Sequence, residues 1–152
     1  MKKILFVCHG NICRSPMAEF VMKHLVCEAG LADEISVTSK ALHRDEIGSD
    51  THRGTREALR AHNIPFSKRR ASLMTAADYA AFDYIIGMDT ENMDDLDRLT
   101  GGDPDGKVRR LLSYIGVDRD VADPWYTGNF EATYRDVDAG CRALLKDLTK
   151  NA

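Results

Sequence analysis

The sequence has no apolar stretch that approaches the roughly 20 residues needed to cross a bilayer. Its N-terminal apolar run, from Ile4 to Val7, is also shorter than the roughly 7–15 residues of a secretory hydrophobic segment. We therefore expect a cytoplasmic protein with no membrane partner, in which this run forms a buried strand.

Cysteine is scarce, with four residues in a chain of 152. Without an export signal, so few cysteines argue against a disulfide framework. A structural zinc site is also not expected, because Cys8 and Cys13 have no second Cys or His pair at ligand spacing. Cys27 and Cys141 fall at core-facing positions of predicted helices, where cysteine acts as a small apolar residue.

A strong excess of one charge is absent as well, since the net charge is −3 and acidic and basic residues are interleaved. The densest basic segment is 68–70, which we interpret as a solvated turn. We expect no nucleic-acid partner.

Apolar strand-like and helix-like patterns alternate along the chain. Ser15 and Pro16 are typical of a helix start, with serine as the N-cap and proline at the first helical position. Thr75 and Asp78 resemble a capping box for a short helix. Strands are predicted at 3–8, 35–39, 84–88 and 108–112, and the other helices at 55–62, 91–99 and 130–148. We expect one α/β domain over residues 1–152, a doubly wound four-stranded parallel sheet flanked by helices on both faces.

The segment CHGNICRS, residues 8–15, directly follows the first predicted strand, where parallel sheets place their ligands. Successive backbone N–H groups in such a loop can form a concave anion site, and the following helix adds positive charge. Gly10 permits the unusual backbone angles of such a turn, and Asn11 tolerates the left-handed region.

Three side chains of this segment carry chemistry. The helix N-terminus and a nearby cation favour ionisation of a thiol at the position of Cys8. Arg14 offers a planar fork for two oxygens of a tetrahedral oxyanion, and Ser15 can hydrogen-bond the thiolate or the helix end. The pattern favours a nucleophile inside a phosphate site over an ordinary turn with a buried cysteine.

The stretch FVCHGNICRSPMAE resembles the signature of the low-molecular-weight protein tyrosine phosphatase family, and ADPWYTGNFEATYRDV at 122–137 resembles its second motif. The similarity extends through EIG at 46–48, FDYIIGMD at 82–89 and GGDPDGK at 101–107. The resemblance implies the same sheet and hydrolysis of phosphotyrosine in proteins, and of small aryl phosphates, through a phosphocysteine intermediate.

The resemblance also implies roles for individual residues. Cys8 would attack phosphorus, Arg14 would stabilise the transition state, and Asp123 would protonate the leaving phenolate and then activate water. Trp125 and Tyr126 would form an aromatic wall, with core packing as the alternative for both. No metal or cofactor is expected, because Arg14, the loop amides and Asp123 supply the charge and the protons. The implied substrate-binding residues are His9, Gly10, Asn11, Ile12, Cys13, Arg14, Ser15, Asp45, Trp125 and Tyr126.

Two positions depart from the family pattern. Asp45 occupies a lip position that is aromatic in many relatives, so one wall of the cleft is expected to be acidic and to disfavour acidic peptides. A histidine that supports the loop in relatives is replaced near Lys68. We interpret His9 as a rim residue.

Three alternatives remain to be weighed. Arsenate reductases with a similar loop need a redox cysteine pair after the third strand, and residues 87–107 contain no cysteine. Phosphoarginine hydrolases of similar sequence have threonine where this chain has Ile12. A phosphopeptide-binding module would not need Cys8 and Asp123, and both are present.

Overall fold

The computed structural model describes residues 1–150 and contains one four-stranded, fully parallel sheet. The strands are β1 (Lys2–Cys8), β2 (Ile35–Ala41), β3 (Tyr84–Gly87) and β4 (Val108–Arg110), in the spatial order β2-β1-β3-β4. Strand β1 therefore has β2 on one side and β3 on the other. The chain thus moves to one side of β1 to form β2 and to the other side to form β3. At such a switch in strand order a crevice opens beyond the carboxyl end of β1.

Helices cover both faces of the sheet, as predicted. Successive side chains of β1 point to opposite faces, because the side-chain period of a strand is two residues. Ile4 and Phe6 pack among residues of α1, α2 and α6, whereas Leu5 and Val7 pack against Leu96 of α4. The helices are α1 (Arg14–Glu28), α2 (Arg53–Ala61), α3 (Ala77–Ala81), α4 (Thr90–Thr100), α5 (Pro124–Thr127) and α6 (Phe130–Thr149), with a 3₁₀ helix at Leu111–Ile115.

Helix α6 approaches the 3₁₀ helix closely. A Cβ atom on Gly140 would lie 2.5 Å from the Cγ atom of Leu111, so only glycine allows this approach. Among residues 1–150, no helix has both the length and the apolar character that a membrane span requires.

Several predicted boundaries were wrong for physical reasons. Strand β4 ends at Arg110 rather than at residue 112, because the chain turns there into the 3₁₀ helix. Helix α1 begins at Arg14, with Cys13 as an N-cap that makes no side-chain cap bond, so Ser15 lies inside the first turn. Proline is still tolerated at position 16, since the first-turn N–H groups have no intrahelical partner.

Two further predictions about helices need correction. The Asp78 carboxylate accepts a hydrogen bond from the Thr75 N–H at 2.8 Å, but α3 begins at Ala77 with Ala76 as its N-cap and no side-chain cap bond. Cys27 is exposed near the end of α1 and does not face the core, whereas Cys141 is fully buried as predicted.

Candidate active site

The loop between β1 and α1 turns its carbonyl groups away from the crevice. In a trans peptide unit the N–H and C=O groups point in opposite directions. A carbonyl that points away from the crevice therefore leaves the N–H of the next residue pointing toward it. We infer from these carbonyl bonds that the loop N–H groups are available for an anion at the N-terminus of α1. The outward bonds are Leu42 N–H to Cys8 O (3.0 Å), His43 N–H to His9 O (3.0 Å), Arg69 Nη1 to Asn11 O (2.9 Å), His52 N–H to Ile12 O (2.7 Å) and Thr55 Oγ1 to Cys13 O (3.1 Å).

The turn takes its unusual backbone angle at Asn11, whose φ is 59°. Gly10 does not have a positive φ, so the left-handed position of the turn is occupied by Asn11 and not by the glycine. A Cβ atom on Gly10 would meet Glu46 Cγ at 3.4 Å, an ordinary contact distance. Asparagine at 11 fits the turn because its side chain tolerates this region and bonds locally.

Cys8 is buried at the base of the loop, and its Sγ atom lies 3.1 Å from Ser15 Oγ. The Ser15 N–H also points to the sulfur at 3.4 Å. Since Asn11 Nδ2 donates to Ser15 Oγ at 2.8 Å, the hydroxyl hydrogen is free to donate to the sulfur. Ser15 thus contacts the sulfur through both its hydroxyl group and its N–H rather than capping the helix.

Asn11 is held by a buried polar network that the sequence did not reveal. Its Nδ2 also donates to Ser39 Oγ at 2.9 Å, and Ser39 in turn donates to Glu19 Oε1 at 2.5 Å. On its other side, Asn11 Oδ1 accepts a hydrogen bond from Arg69 Nη2. Arg69 therefore supports the loop. It directly follows Lys68, near which the supporting histidine of the family pattern is replaced.

Arg14 connects the loop to two distant segments. Its side chain is 3% exposed, and Nη1 donates to Asp89 Oδ2 at 2.6 Å and to Val121 O at 3.0 Å. Nη2 lies 3.4 Å from Asp123 Oδ2. Burial alone would lower the pKa of Arg14, but the charges of Cys8 and Asp89 raise it, so the guanidinium remains a cation.

The Nε–H of Arg14 is a buried donor without a partner among residues 1–150. A buried unpaired donor is costly unless a ligand accepts its hydrogen bond. Because Arg14 also lines the cavity, an oxyanion bound there is a possible acceptor for this donor.

Asp89 was missed by the sequence analysis. It lies two residues after the end of β3 and caps α4 through a reciprocal box with Asn92, whose N–H lies 2.7 Å from Asp89 Oδ1. Its place at the carboxyl end of a parallel strand was the signal that could have identified it.

Asp123, Trp125 and Tyr126 border the same cavity as Cys8, which has a volume of about 390 Å³. Asp123 caps α5 by accepting the Trp125 N–H at 3.0 Å, which holds its carboxylate beside Arg14. Trp125 and Tyr126 are 56% and 84% exposed, so neither packs in the core. Both side chains line the cavity, where an aromatic wall against a substrate ring would have to lie.

The opposite rim is acidic, as the sequence predicted from Asp45. His9 Nε2 bonds Asp45 Oδ2 at 2.6 Å, and Glu46 and Glu91 also line the cavity. Partial burial would lower the pKa of His9, but Asp45 and Glu91 outweigh it and raise the pKa. The hydrogen bond from His9 likewise holds the pKa of Asp45 below its usual value.

The two loop cysteines lie in different environments. Burial, with smaller contributions from the charges of Cys8 and Asp123, raises the pKa of Cys13 to about 12. Cys13 is therefore a protonated thiol at neutral pH and is not suited to be the nucleophile. It packs with Ile12, which lies at the cavity wall.

Comparisons with known proteins agree with this geometry. The family model described as low molecular weight phosphotyrosine protein phosphatase matches residues 3–152. YfkJ of Bacillus subtilis, named a low molecular weight protein-tyrosine-phosphatase, is 41% identical over 99% of this chain and 97% of its own.

Solved structures give the same likeness. The crystal structure of YfkJ has a TM-score of 0.95 at 40% identity and covers 99% of this chain and 96% of its own. SP-PTP of Streptococcus pyogenes has a TM-score of 0.88 at 41% identity, covering 98% and 94% of the two chains. DARP, a Drosophila arginine phosphatase, has a TM-score of 0.90 at 31% identity over 100% of both.

Proposed function

The chain belongs to the low molecular weight phosphotyrosine protein phosphatase family, and we propose that Cys8, Arg14 and Asp123 perform its hydrolysis of phosphotyrosine. One observation carries the assignment. A buried sulfur, a guanidinium with an unpaired donor and a carboxylate from the far end of the sequence border one cavity that is edged by inward-facing amides.

In the first step, the Cys8 thiolate attacks phosphorus, so that a sulfur–phosphorus bond forms as the phosphorus–phenol oxygen bond breaks. Asp123 in its protonated form gives its proton to the departing phenolate oxygen. The loop amides and Arg14 hold the three non-bridging oxygens, whose charge persists in the transition state.

In the second step, Asp123 as a carboxylate takes a proton from water, which attacks phosphorus. The sulfur–phosphorus bond breaks, inorganic phosphate is released, and Cys8 returns to a thiolate stabilised by Ser15. Asp123 suits both proton transfers because it lines the cavity that contains Cys8.

An aromatic substrate fits the cavity walls. Trp125 and Tyr126 offer ring faces on one side, and apolar Ile12 lies in the wall near the loop. Hydrolysis of phosphoarginine is the competing activity, since DARP is described as an arginine phosphatase and the acidic rim could attract a guanidinium. Rates on matched peptides carrying phosphotyrosine or phosphoarginine separate the two, and a preference for phosphoarginine would overturn the substrate assignment.

The catalytic roles are tested with three variants. Cys8→Ser should abolish hydrolysis of an aryl phosphate while inorganic phosphate still binds, as measured by calorimetry. Asp123→Asn should slow a substrate with a poor leaving group by about 10²–10⁴-fold, because a positioned acid is worth that much. Asp33→Asn, at an exposed position remote from the cavity, is the matched control. Unchanged turnover of the poor leaving group by Asp123→Asn would refute the proton-donor role.

We further propose that the protein acts in the cytoplasm, because its chemistry needs Cys8 as a thiolate and reducing compartments preserve thiols. The four cysteines are free within residues 1–150, which supports this location. Cell fractionation followed by detection of the protein tests it.

A further inference from the structure

A second cluster of potential ligands lies at the rim of the cavity, outside the reacting groups. His9 belongs to the loop after β1, His43 follows β2, and Glu91 lies in the first turn of α4. One ligand atom from each of these residues lies within 4.8 Å of the other two. The three segments are far apart in sequence, so no spacing motif announces the cluster.

Each imidazole is already oriented by a carboxylate on its other side. His9 Nε2 lies 2.6 Å from Asp45 Oδ2, and His43 Nε2 lies 2.8 Å from Asp95 Oδ2. A carboxylate at Nε2 fixes the ring and leaves Nδ1 as the basic nitrogen, which is how metal-binding histidines are commonly supported. Both imidazoles thus already have the outer carboxylate contact that supports a metal-binding histidine.

The distance between His9 and Glu91 also fits a shared ion. His9 Nδ1 and Glu91 Oε1 are 3.7 Å apart, too far for a good hydrogen bond. Two ligands at the usual zinc distances in a tetrahedral shell lie about 3.4 Å apart, so a shift of a few tenths of an ångström suffices.

The two imidazole rings are stacked, with centroids 4.1 Å apart and planes 17° apart. A metal ion lies in the plane of each ring that binds it, so the rings must rotate apart slightly to share one. Their side chains are 41% and 38% exposed, which leaves room for this rotation.

We propose that His9, His43 and Glu91 bind a divalent transition-metal ion such as Zn²⁺, with water completing the coordination shell. Two imidazoles and one carboxylate are an established zinc ligand set. The neighbouring acidic side chains Asp45 and Asp95 add attraction for a cation. This site is separate from the hydrolysis proposed above, but His9 and Glu91 also line the cavity, so a bound ion makes its rim less acidic.

The test is made in a Cys8→Ser background, because a thiolate would itself bind zinc. Competition with a chromophoric zinc chelator should reveal one tight site per chain. His43→Ala should weaken it at least tenfold, and Asp95→Asn should weaken it about 10–100-fold, as loss of a supporting carboxylate does. His62→Ala is the matched control, since His62 also bonds a carboxylate and stacks on an aromatic ring but belongs to no such cluster within the described chain.

Each result of these binding measurements either supports the metal site or overturns it. The proposal is overturned if the background protein has no one-to-one site, or if His43→Ala binds zinc as tightly as the background. It is also overturned if His62→Ala weakens binding as much as His43→Ala. Should His43→Ala fail to fold, the imidazole NMR signals of the background protein decide: zinc must shift those of His9 and His43 and leave that of His62 in place. Because binding is the readout, loss of phosphatase activity does not affect the result.

Discussion

Replacement of Asp89 by asparagine tests the buried ion pair that holds the proposed phosphate-binding guanidinium. Asp89 Oδ2 accepts a hydrogen bond from Arg14 Nη1 at 2.6 Å, and the two side chains are 18% and 3% exposed. Asparagine is a good N-cap, and its single side-chain oxygen can accept the hydrogen bond from the Asn92 N–H, so α4 keeps its start. The substitution therefore removes the negative charge and the acceptor that Arg14 Nη1 uses.

The expected loss follows from burial. Removing one partner of a buried ion pair costs about 3–5 kcal/mol, because the other charge is left uncompensated. Here Val121 O, at 3.0 Å, still accepts a hydrogen bond from Arg14 Nη1, so the loss is smaller than that limit. We expect about 2 kcal/mol of lost unfolding free energy, within the range of about 1.5–3 kcal/mol for a hydrogen bond to a charged group.

Urea unfolding measures this loss. With a slope of about 2 kcal/mol per molar, the midpoint should fall by about 1 M at unchanged slope. Asp118→Asn is the control, since Asp118 also pairs with an arginine, Arg110, but is 96% exposed. An exposed pair is worth about 1 kcal/mol or less. Equal midpoints for the two variants would refute the claim that Asp89 neutralises a buried cation.

Three further outcomes are expected. Gly140→Ala should lower the melting temperature by the equivalent of about 1–3 kcal/mol, because its Cβ would lie 2.5 Å from Leu111 Cγ; an unchanged melting curve would contradict this close approach. Arg69→Met should lower kcat/KM for an aryl phosphate about tenfold, a loss of about 1.4 kcal/mol, since two hydrogen bonds to the catalytic loop disappear; steady-state kinetics at wild-type values would show that the brace is dispensable. At about pH 8, iodoacetamide should label exposed Cys27 much faster than Cys13, because the pKa of Cys13 is raised to about 12 and the thiolate forms only as pH approaches that value. Mass spectrometry of the labelled peptides measures both rates, and comparable labelling would refute the burial argument.

The sheet could be predicted from sequence because its signals are local. Strands buried on both faces read as continuous apolar runs, and β1 and β3 do so. The anion-binding character of the loop after β1 could also be predicted, because its amides, a cysteine and an arginine lie within one short segment. The fold prediction was confirmed, apart from element ends that depend on tertiary contacts.

The supporting residues could not be predicted, because their partners are distant in sequence. Asp89 lies 75 positions from Arg14, and Arg69 lies 58 positions from Asn11. The N-cap assignment of Ser15 was wrong for a related reason: its local pattern matches an N-cap, but its hydroxyl contacts the Cys8 sulfur, the other partner that the sequence allowed. Cys27 was misassigned because helical periodicity does not show where the packed face of α1 ends.

The contacts of Arg14 have a consequence for how the chain matures. Its three oxygen partners come from residues 89, 121 and 123, so a nascent chain has none of them until most of its length has emerged. We therefore expect the chain to become catalytically active only when its tertiary structure is complete. Regain of turnover after dilution from denaturant should therefore trail the return of helical signal.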